Sequence, residues 1–288
     1  MRILFLFALA LSTSSATFPQ GAPQPALQTV EIPSGSLRLK GLLWKPQGPG
    51  PFPAVVFNHG RSDTPQLHSR QLKLMIEDAA EILGPVFVRH GFVFLYPFRR
   101  GEGLSADQGQ FIGDLLEQEE KARGAEARSH LRTVLMTTDH LQDAQAALTF
   151  LKGLSYVDAH RIAVAGHSFG GGLTLLEVSR DSTVAAAVTF GAAAGSWEGS
   201  PELRDLLLQS LHTVAMPVMM IQAENDYSLA PSKAMDEELS RLSKRHVRKI
   251  YPAFGQTQSD GHNFFYYDVA RWERDVFPFL DANVKHRN

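Results

Sequence analysis

The sequence predicts an α/β fold in which a mostly parallel β-sheet carries helices on both faces. Short apolar segments with little internal charge alternate along the chain with segments of helical periodicity, and this alternation is typical of parallel sheets covered on both sides. No segment repeats at a fixed period, which argues against a solenoid. No linker divides the chain, and we therefore expect a single domain over residues 29–288.

Seven segments have the composition or the alternation of strands. In chain order they are residues 36–44, 53–60, 92–98, 161–166, 184–191, 217–223 and 247–253. Helical patterns lie between them at residues 71–91, 138–154, 201–214, 231–246 and 268–282, and a further helix opens at "GGLTLLEVS". Within the first of these helices Pro85 is expected to introduce a kink or to end the helix, because proline lacks a backbone donor.

The composition excludes several classes of function. A formal net charge of −2 gives no electrostatic reason to expect binding to nucleic acid or to a membrane surface. The absence of cysteine excludes disulfides, thiolate metal sites and a cysteine nucleophile. The sequence has no H-E-x-x-H motif, and no G-x-G-x-x-G motif follows its first strand, so we expect neither a metal nor a nucleotide cofactor.

The first residues have the composition of a signal peptide. Arg2 supplies a positive charge, a short apolar run follows, and Ser14 and Ala16 are small residues of the kind found before a cleavage point. The apolar run is shorter than the roughly 20 residues that span a bilayer. We therefore expect removal of residues 1–16 and export to the periplasm or the exterior, with a retained amphiphilic tail as the alternative. Residues 17–28, rich in Pro, Gln and Ala, are expected to form a flexible lead-in.

One segment, residues 105–135, interrupts the alternation of strands and helices. Glu117 and Lys121, like Glu119 and Arg123, are four residues apart and can pair on the exposed face of a helix. A solvated surface excursion is one interpretation. A cap over a functional site is the other, since long insertions in compact domains often have a function.

The stretch "IAVAGHSFGGGLTLL" at residues 162–176 predicts the functional site. Its central "GHSFG" has the G-x-S-x-G pattern, follows a predicted strand and precedes a predicted helix, which is the context of a nucleophile elbow. Such a turn holds Ser168 in a strained conformation above the sheet edge, and the glycines let the strand and the helix pass closely. His167 is expected to point sideways into packing. A glycine-rich turn with a structural serine is the alternative.

A nucleophilic serine needs a base and an acid that orients the base, and in this topology the acid and then the histidine follow the serine. Asp226 lies just after the strand at 217–223, and His262 lies in the loop after the strand at 247–253, before the last helix. The three side chains would then meet at the carboxyl ends of strands in one parallel sheet.

Other acidic residues near these positions leave alternatives open. Glu224 is two residues from Asp226, and Glu198 follows the preceding strand, where some enzymes of this architecture place the acid. Asp260 is close to the candidate histidine and is expected to shape its turn.

Two backbone amides are expected to bind the oxyanion that develops on a carbonyl under attack. Phe169 follows the serine and would supply one amide, at a helix end whose dipole is positive. The loop "FNHGRSD" at 57–63 follows an earlier strand, and the amide of Arg61 would supply the other. The Arg61 side chain is expected to be solvated, with contact to a substrate carboxylate as the alternative.

Together these residues resemble the α/β-hydrolase superfamily, and within it they are most similar to the dienelactone hydrolase and acylaminoacyl peptidase/prolyl oligopeptidase branch. The resemblance covers residues 36–284 and rests on "NHGRSD", "FRRGEGLS", "VDAHRIAVAGHSFGGG", "QAENDYSLAP" and "SDGHNFF". It implies an α/β-hydrolase fold with an eight-stranded sheet, and hydrolysis of carboxylic esters, thioesters or amides without a cofactor. It also implies Ser168 as nucleophile, Asp226 as acid and His262 as base, with the two amides named above as the oxyanion hole.

Two departures limit what this resemblance implies. Dienelactone hydrolases proper use a cysteine nucleophile where this chain has Ser168, so their substrate is not carried over. Many relatives have an aspartate where this chain has Phe98, and Arg100 is therefore expected to lack its usual partner.

The sequence thus predicts a serine hydrolase that cleaves carboxylic ester or thioester bonds of small-molecule acyl substrates through an acyl-enzyme intermediate. A serine peptidase or amidase of the acylaminoacyl peptidase type is one alternative, and a catalytically silent binding module on the same fold is another. No nucleic-acid partner is expected, and no membrane association is expected once the signal peptide is removed.

Overall fold

A computed structural model of the protein describes residues 26–61 and 70–285. The strands, in chain order, are β1 (Ala26–Ser34), β2 (Leu37–Lys45), β3 (Phe52–Asn58), β4 (Val93–Pro97), β5 (Val157–His167), β6 (Ala186–Phe190), β7 (Val218–Ala223) and β8 (His246–Tyr251). They form one sheet in the order β1-β2-β4-β3-β5-β6-β7-β8. The strands from β3 to β8 pair in parallel, whereas β1 and β2 pair antiparallel with their neighbours. The prediction of a mostly parallel, eight-stranded α/β fold is therefore confirmed.

Helices cover both faces of this sheet. In chain order they are α1 (Arg70–Arg89), α2 (Ile112–Arg123), α3 (Ala125–Thr137), α4 (Asp139–Lys152), α5 (Phe169–Val178), α6 (Pro201–Ser210), α7 (Ala230–Arg241), α8 (Gln258–Tyr267) and α9 (Val269–Leu280). Helices α1, α8 and α9 share a core with Val55 and Phe57 of β3. Helices α2 to α7 share the opposite core with Ala54 and Val56. Successive residues of β3 thus point into alternate cores, as a strand buried on both faces requires.

The strand order creates a switch point between β3 and β5. From β3 the chain passes through α1 to β4 on one side, and it later returns past β3 to β5 on the other side. Open parallel sheets bind ligands at such points, in the crevice beyond the carboxyl ends of the strands. The loop after β3 and the turn after β5 therefore meet where a ligand site is expected.

Strand β1 was not predicted from the sequence. It pairs antiparallel with β2 from Ala26 opposite Lys45 to Ser34 opposite Leu37, and Ile32 is fully buried. Residues 26–28, which the sequence analysis assigned to the flexible lead-in, belong to this strand. Pairing with the outer edge of β2 satisfies the backbone of a segment whose composition alone does not favour a strand.

Helix α1 continues through Pro85 to Arg89. Of the two alternatives expected for Pro85, the end of the helix is wrong, and a kink stays a prediction. Proline in a helix interior costs about 3 kcal/mol, because it removes a hydrogen bond and crowds the preceding turn. Phe87, just beyond the proline, is buried and stacks on Phe94 of β4 with ring centroids 4.6 Å apart. This packing offsets the cost and keeps the helix on the sheet.

The segment 105–135 folds mainly into the hairpin of α2 and α3. The predicted ion pairs four residues apart are present, for example between Lys121 and Glu117. The other side of the hairpin is buried, and there Leu116 and Met136 join the core beneath it. The hairpin therefore has one solvated and one buried face, and its role as a cap stays a prediction.

The predicted signal peptide, residues 1–16, lies outside the described residues, as does most of the lead-in that follows it. Both stay predictions. Of the helices found between residues 70 and 285, none has the length and apolar character needed to cross a membrane.

A buried carboxyl group joins the end of β3 to helix α5. Asn58 donates through Nδ2 to Glu177 Oε2 over 2.7 Å and to Thr174 Oγ1 over 3.1 Å. Glu177 has no exposed surface. Burial raises the pKa of Glu177 from 4.5 to about 7, although the hydrogen bond from Asn58 opposes this rise. The folded state favours the protonated form of Glu177. The contribution of this protonation to stability is therefore present at acidic pH and is lost as the pH rises from 4.5 to about 7.

We expect Glu177→Gln to stabilise the protein at pH 8 and to change little at pH 4.5. Glutamine keeps an oxygen for Asn58 and carries no charge to bury, and a shift of this size corresponds to about 3 kcal/mol in the free energy of unfolding. Urea unfolding at several pH values measures the difference. Glu237→Gln, at a side chain that is 67% exposed, is the matched control. Equal pH dependence in the wild type and in Glu177→Gln would contradict the assignment.

Candidate active site

Ser168 occupies a sharp turn between β5 and α5. Its backbone has φ +55° and ψ −116°, in the left-handed half of φ that residues other than glycine rarely adopt. The amide of Ser168 donates to the carbonyl oxygen of Phe190 over 2.8 Å, which anchors the turn to β6. Ser168 is half-buried, whereas its neighbours His167 and Phe169 are buried. The strained conformation thus presents one hydroxyl at the edge of the sheet.

The two glycines of the motif allow three backbone segments to approach closely. A Cβ atom on Gly166 would lie 2.4 Å from the carbonyl oxygen of Gly170. A Cβ atom on Gly170 would lie 2.0 Å from the carbonyl oxygen of Asn58 and 2.4 Å from that of His59. Both distances are shorter than any real contact, so β5, the first turn of α5 and the loop after β3 pack at the distance that only glycine permits.

Asp226 and His262 form a buried pair on the other side of β6. His262 donates through Nδ1 to Asp226 Oδ1 over 2.6 Å, and the two side chains are 7% and 1% exposed. Asp226 also accepts from Gln222 Nε2 over 2.8 Å and from the amide of Tyr227 over 2.7 Å. The Asp226 carboxylate therefore accepts a hydrogen bond from each of these three groups. The bond to Nδ1 holds the His262 ring so that Nε2 does not contact the carboxylate.

The structure places His262 in helix α8, and the expectation that it lies in a loop is wrong. The helix begins with a capping box, in which the Thr257 side chain accepts from the amide of Asp260 and the Asp260 side chain accepts from the amide of Thr257. The sequence carried this signal, because threonine followed three residues later by an acidic residue is typical of a helix start. The expected role of Asp260 in shaping this turn is confirmed.

Gly191 brings Ser168 and the Asp226–His262 pair together. This residue has φ +57° and directly follows Phe190, the residue that binds the Ser168 amide. A Cβ atom at position 191 would lie 2.9 Å from Asp226 Oδ2 and 3.0 Å from His262 Nδ1, so the pair occupies the space that a side chain would fill. In the part of the chain that the structure describes, no hydrogen bond joins Ser168 Oγ to the His262 ring.

The alternative acids lie on the surface of the protein. Glu224 is exposed, and Glu198 is exposed and accepts from Ser228 Oγ over 3.2 Å. Neither carboxylate is hydrogen-bonded to His262. Asp226 is therefore the acidic residue that the fold brings to the candidate base.

His167 is buried in packing, as predicted. Its ring lies between Phe265 and His262, with centroids 4.4 and 4.6 Å away, and its Nε2 is 3.0 Å from the carbonyl oxygen of His262. Burial lowers the pKa of His167 well below 6.5. A neutral ring can donate to that carbonyl oxygen and so supports the backbone of His262.

The two predicted oxyanion residues lie next to each other. Phe169 is the first residue of α5, where helix amides have no partner within the helix. Arg61 is the last described residue of the loop after β3, and its guanidinium carbon lies 5.6 Å from the centroid of the Phe169 ring. The expectation that the Arg61 side chain is solvated is therefore wrong, because it folds over the ring instead. The role of the two amides stays a prediction.

A buried polar group around the Phe169 ring was not predicted from the sequence. Arg99 and Glu102 are buried and form an ion pair of 2.8 Å, with the guanidinium carbon of Arg99 5.1 Å from the Phe169 ring centroid. His140 meets the same ring edge-on at 5.5 Å. Burial, with a further effect of Arg99, holds the pKa of His140 well below 6.5. The available signal was the charge in "FRRGEG", placed directly after an apolar strand.

Arg100 has partners, and the expectation that it lacks one is wrong. Its guanidinium binds Asp143 through Nε at 2.9 Å and Nη2 at 2.7 Å, and Nη1 lies 3.0 Å from Asp139. Both carboxylates come from α4. Helix α4 thus supplies the negative charge that an aspartate at position 98 supplies in relatives. Arg100 binds Asp143 through two nitrogens, the bidentate geometry that arginine favours.

No cluster of three or more His, Asp and Glu side chains suited to a metal ion occurs within residues 26–61 and 70–285.

A serine elbow after a central parallel strand, with an Asp–His pair beyond later strands of the same sheet, defines the α/β-hydrolase fold. The model of the dienelactone hydrolase family matches residues 39–279 of the sequence. The chain therefore belongs to the dienelactone hydrolase family and is a hydrolase. The resemblance inferred from its motifs is confirmed. No curated protein matches the sequence.

Several solved structures are similar to this fold. The acylaminoacyl peptidase of Pyrococcus horikoshii is 17% identical with a TM-score of 0.63, over 93% of this chain and 43% of its own, so this chain spans less than half of that protein. A dienelactone hydrolase of Anabaena variabilis is 20% identical with a TM-score of 0.57, over 89% and 99% of the two chains. An esterase of Pyrococcus furiosus is 14% identical with a TM-score of 0.62, over 90% and 92%. At these identities the likeness shows the fold alone.

We expect Gly170→Ala to destabilise the protein by about 3 kcal/mol or more, because the new methyl group would force α5 away from the loop after β3. Gly172→Ala in the same helix is the matched control. Its Cβ would lie 3.5 Å from the nearest side-chain atom, an ordinary contact with Met136, and alanine favours helix by about 1 kcal/mol. Urea unfolding compares the two variants. A Gly170→Ala protein as stable as Gly172→Ala would contradict the close approach.

Proposed function

We propose that this protein is a serine-dependent hydrolase of carboxylic esters or thioesters of small substrates, acting through an acyl-enzyme. Ser168 would be the nucleophile, His262 the base and Asp226 the acid. One observation carries the proposal. Of the four histidines buried in the described residues, only His262 is hydrogen-bonded to a carboxylate, that of Asp226. This pair lies against Gly191, which directly follows Phe190, the residue that binds the Ser168 amide.

The first step forms a bond between Ser168 Oγ and the acyl carbon of the substrate. His262 Nε2 takes the hydroxyl proton, and Asp226 stabilises the resulting imidazolium through its contact with Nδ1. The carbonyl electrons move onto oxygen. When the tetrahedral intermediate collapses, the bond to the alcohol or thiol breaks, and His262 returns the proton to that leaving group. A serine–histidine hydrogen bond often forms only once substrate is bound, so its absence here is compatible with this step.

The second step reverses these roles with water. His262 takes a proton from a water molecule, the hydroxide oxygen bonds to the acyl carbon, and Ser168 leaves as its hydroxyl with the returned proton. In both steps the amides of Phe169 and Arg61 would donate to the oxyanion. Each such donor is worth about 3 to 4 kcal/mol where one has been removed from a serine enzyme.

We expect Ser168→Ala to lower the turnover of p-nitrophenyl acetate more than about 1,000-fold in folded protein, because the bond to the acyl carbon can no longer form. A fluorophosphonate should label the wild type on the peptide that contains Ser168 and should not label the variant. Ser210→Ala is the control, since the Ser210 hydroxyl donates only to a carbonyl oxygen of its own helix.

Turnover by Ser168→Ala within tenfold of the wild type would contradict the proposal. A panel of p-nitrophenyl esters, thioesters and acyl-peptide anilides with one shared acyl group separates the candidate activities. Faster cleavage of the anilide than of the ester would favour a peptidase, and no labelling and no turnover would favour a binding module.

We expect Asp226→Asn to lower kcat by roughly 1,000- to 10,000-fold with little change in KM, because an amide cannot accept from every donor around it and the histidine tautomer is lost. The control is Glu224→Gln, at an exposed neighbour that is not hydrogen-bonded to His262. Steady-state kinetics measure both variants. If Glu224→Gln lost activity and Asp226→Asn retained it, the acid would be misassigned.

A further inference from the structure

We infer that Arg99, held in place by Glu102, is a positioning residue that orients the loop after β3, so that the amide of Arg61 faces the carbonyl under attack at Ser168. This inference rests on the proposed function. It concerns a side chain that touches neither the substrate nor the reacting atoms.

Arg99 binds two successive carbonyl oxygens of that loop. It follows β4 in the chain, and its guanidinium reaches across to donate through Nη1 to His59 O over 2.6 Å and through Nη2 to Gly60 O over 3.0 Å. The side chain is 3% exposed. A planar guanidinium with several fixed donors can hold two acceptors in a defined relation, which a lysine cannot do.

The carbonyl of Gly60 and the amide of Arg61 belong to the same peptide unit. That unit is planar and trans, so its C=O and N–H bonds point in opposite directions. When Arg99 fixes the oxygen of Gly60 on its own side, it also turns the amide of Arg61 away from itself. By binding the carbonyl oxygen of Gly60, Arg99 therefore sets the direction of the Arg61 N–H bond, the second oxyanion donor.

Arg99 also contacts the residue that supplies the first donor. Its guanidinium carbon lies 5.1 Å from the centroid of the Phe169 ring, a distance at which a cation is attracted to the face of an aromatic ring. Gly170 places the same turn of α5 against the carbonyl oxygens of Asn58 and His59. The relative position of the two amides thus depends on this backbone contact and on Arg99, together with the His59 ring, whose Nδ1 lies 2.8 Å from the same Gly60 carbonyl oxygen.

Glu102 pairs with Arg99 Nη2, the nitrogen that also donates to Gly60 O. Its Oε2 lies 2.8 Å from Arg99 Nη2, and its side chain has no exposed surface. Burial raises the pKa of the Glu102 carboxyl, and the neighbouring Arg99 and Arg61 oppose that rise. A buried ion pair contributes little net stability, because removing two charges from water costs nearly as much as their attraction returns. The pair is better explained by the orientation it imposes than by stability.

A matched control exists at the other end of β3. Arg161 donates through Nη2 to the carbonyl oxygen of Pro51 over 3.0 Å and through Nε to Asp158 over 2.7 Å. This is the same combination of a guanidinium, a loop carbonyl and a carboxylate, but it lies at the start of the strand, far from Ser168.

The test compares Arg99→Met and Arg161→Met in the full chain. For Arg99→Met we expect kcat on p-nitrophenyl acetate to fall at least tenfold, and at most by the roughly 1,000-fold that marks the upper end for loss of one oxyanion donor, with KM within threefold of the wild type. The affinity for phenylboronic acid, which forms a tetrahedral adduct with an active serine, should fall in parallel. Arg161→Met should keep kcat and boronate affinity within twofold, whatever its melting temperature.

A folded Arg99→Met protein with kcat and boronate affinity within threefold of the wild type would overturn the inference. If Arg99→Met does not fold, Arg99→Lys decides, because lysine keeps the charge beside Glu102 but reaches only one carbonyl. An intermediate kcat supports the inference, and a full kcat overturns it. A wild-type chain that neither turns over esters nor labels at Ser168 would instead refute the proposed function, and the inference with it.

Discussion

The structure depends on the contact between three backbone segments at one point of the sheet. The end of β3, the end of β5 and the first turn of α5 pack so closely that a single methyl group at Gly166 or Gly170 would overlap a carbonyl oxygen. This contact forces the strained backbone of Ser168, sets the start of α5, and brings the loop after β3 beside it. Glu177 and Asn58 reinforce the same junction from below with a buried hydrogen bond.

Burial controls the charges around this junction. It lowers the pKa values of His59, His140 and His167, so these rings are neutral and serve as packing and hydrogen-bonding groups. His262, the fourth buried histidine of the described residues, is hydrogen-bonded through Nδ1 to the Asp226 carboxylate. The guanidinium groups of Arg61 and Arg99 lie over the Phe169 ring. One fold therefore gives chemically similar residues different roles through their surroundings.

The sequence predicted the features that local pattern controls. The glycines around Ser168 predicted the sharp turn between strand and helix. Asp226 follows a predicted strand of the same parallel sheet, so it was expected at the sheet edge that carries Ser168. Features that depend on distant packing could not be predicted in this way. Asp143 of α4 takes the place of the missing aspartate near Arg100, and Arg99 binds the loop after β3. Neither contact could be predicted from spacing, because each joins segments about 40 residues apart. The helix that carries His262 was missed although its capping box is visible in the sequence.

Gly191 shows how an enzyme can depend on a residue that takes no part in bond making. The volume that a side chain would fill there is occupied by the oxygen of Asp226 and the ring of His262. Any side chain at position 191 would therefore have to displace one of the two. A survey of homologues that compares only the positions of Ser168, Asp226 and His262 would overlook a sequence in which a side chain at the end of β6 displaces the histidine.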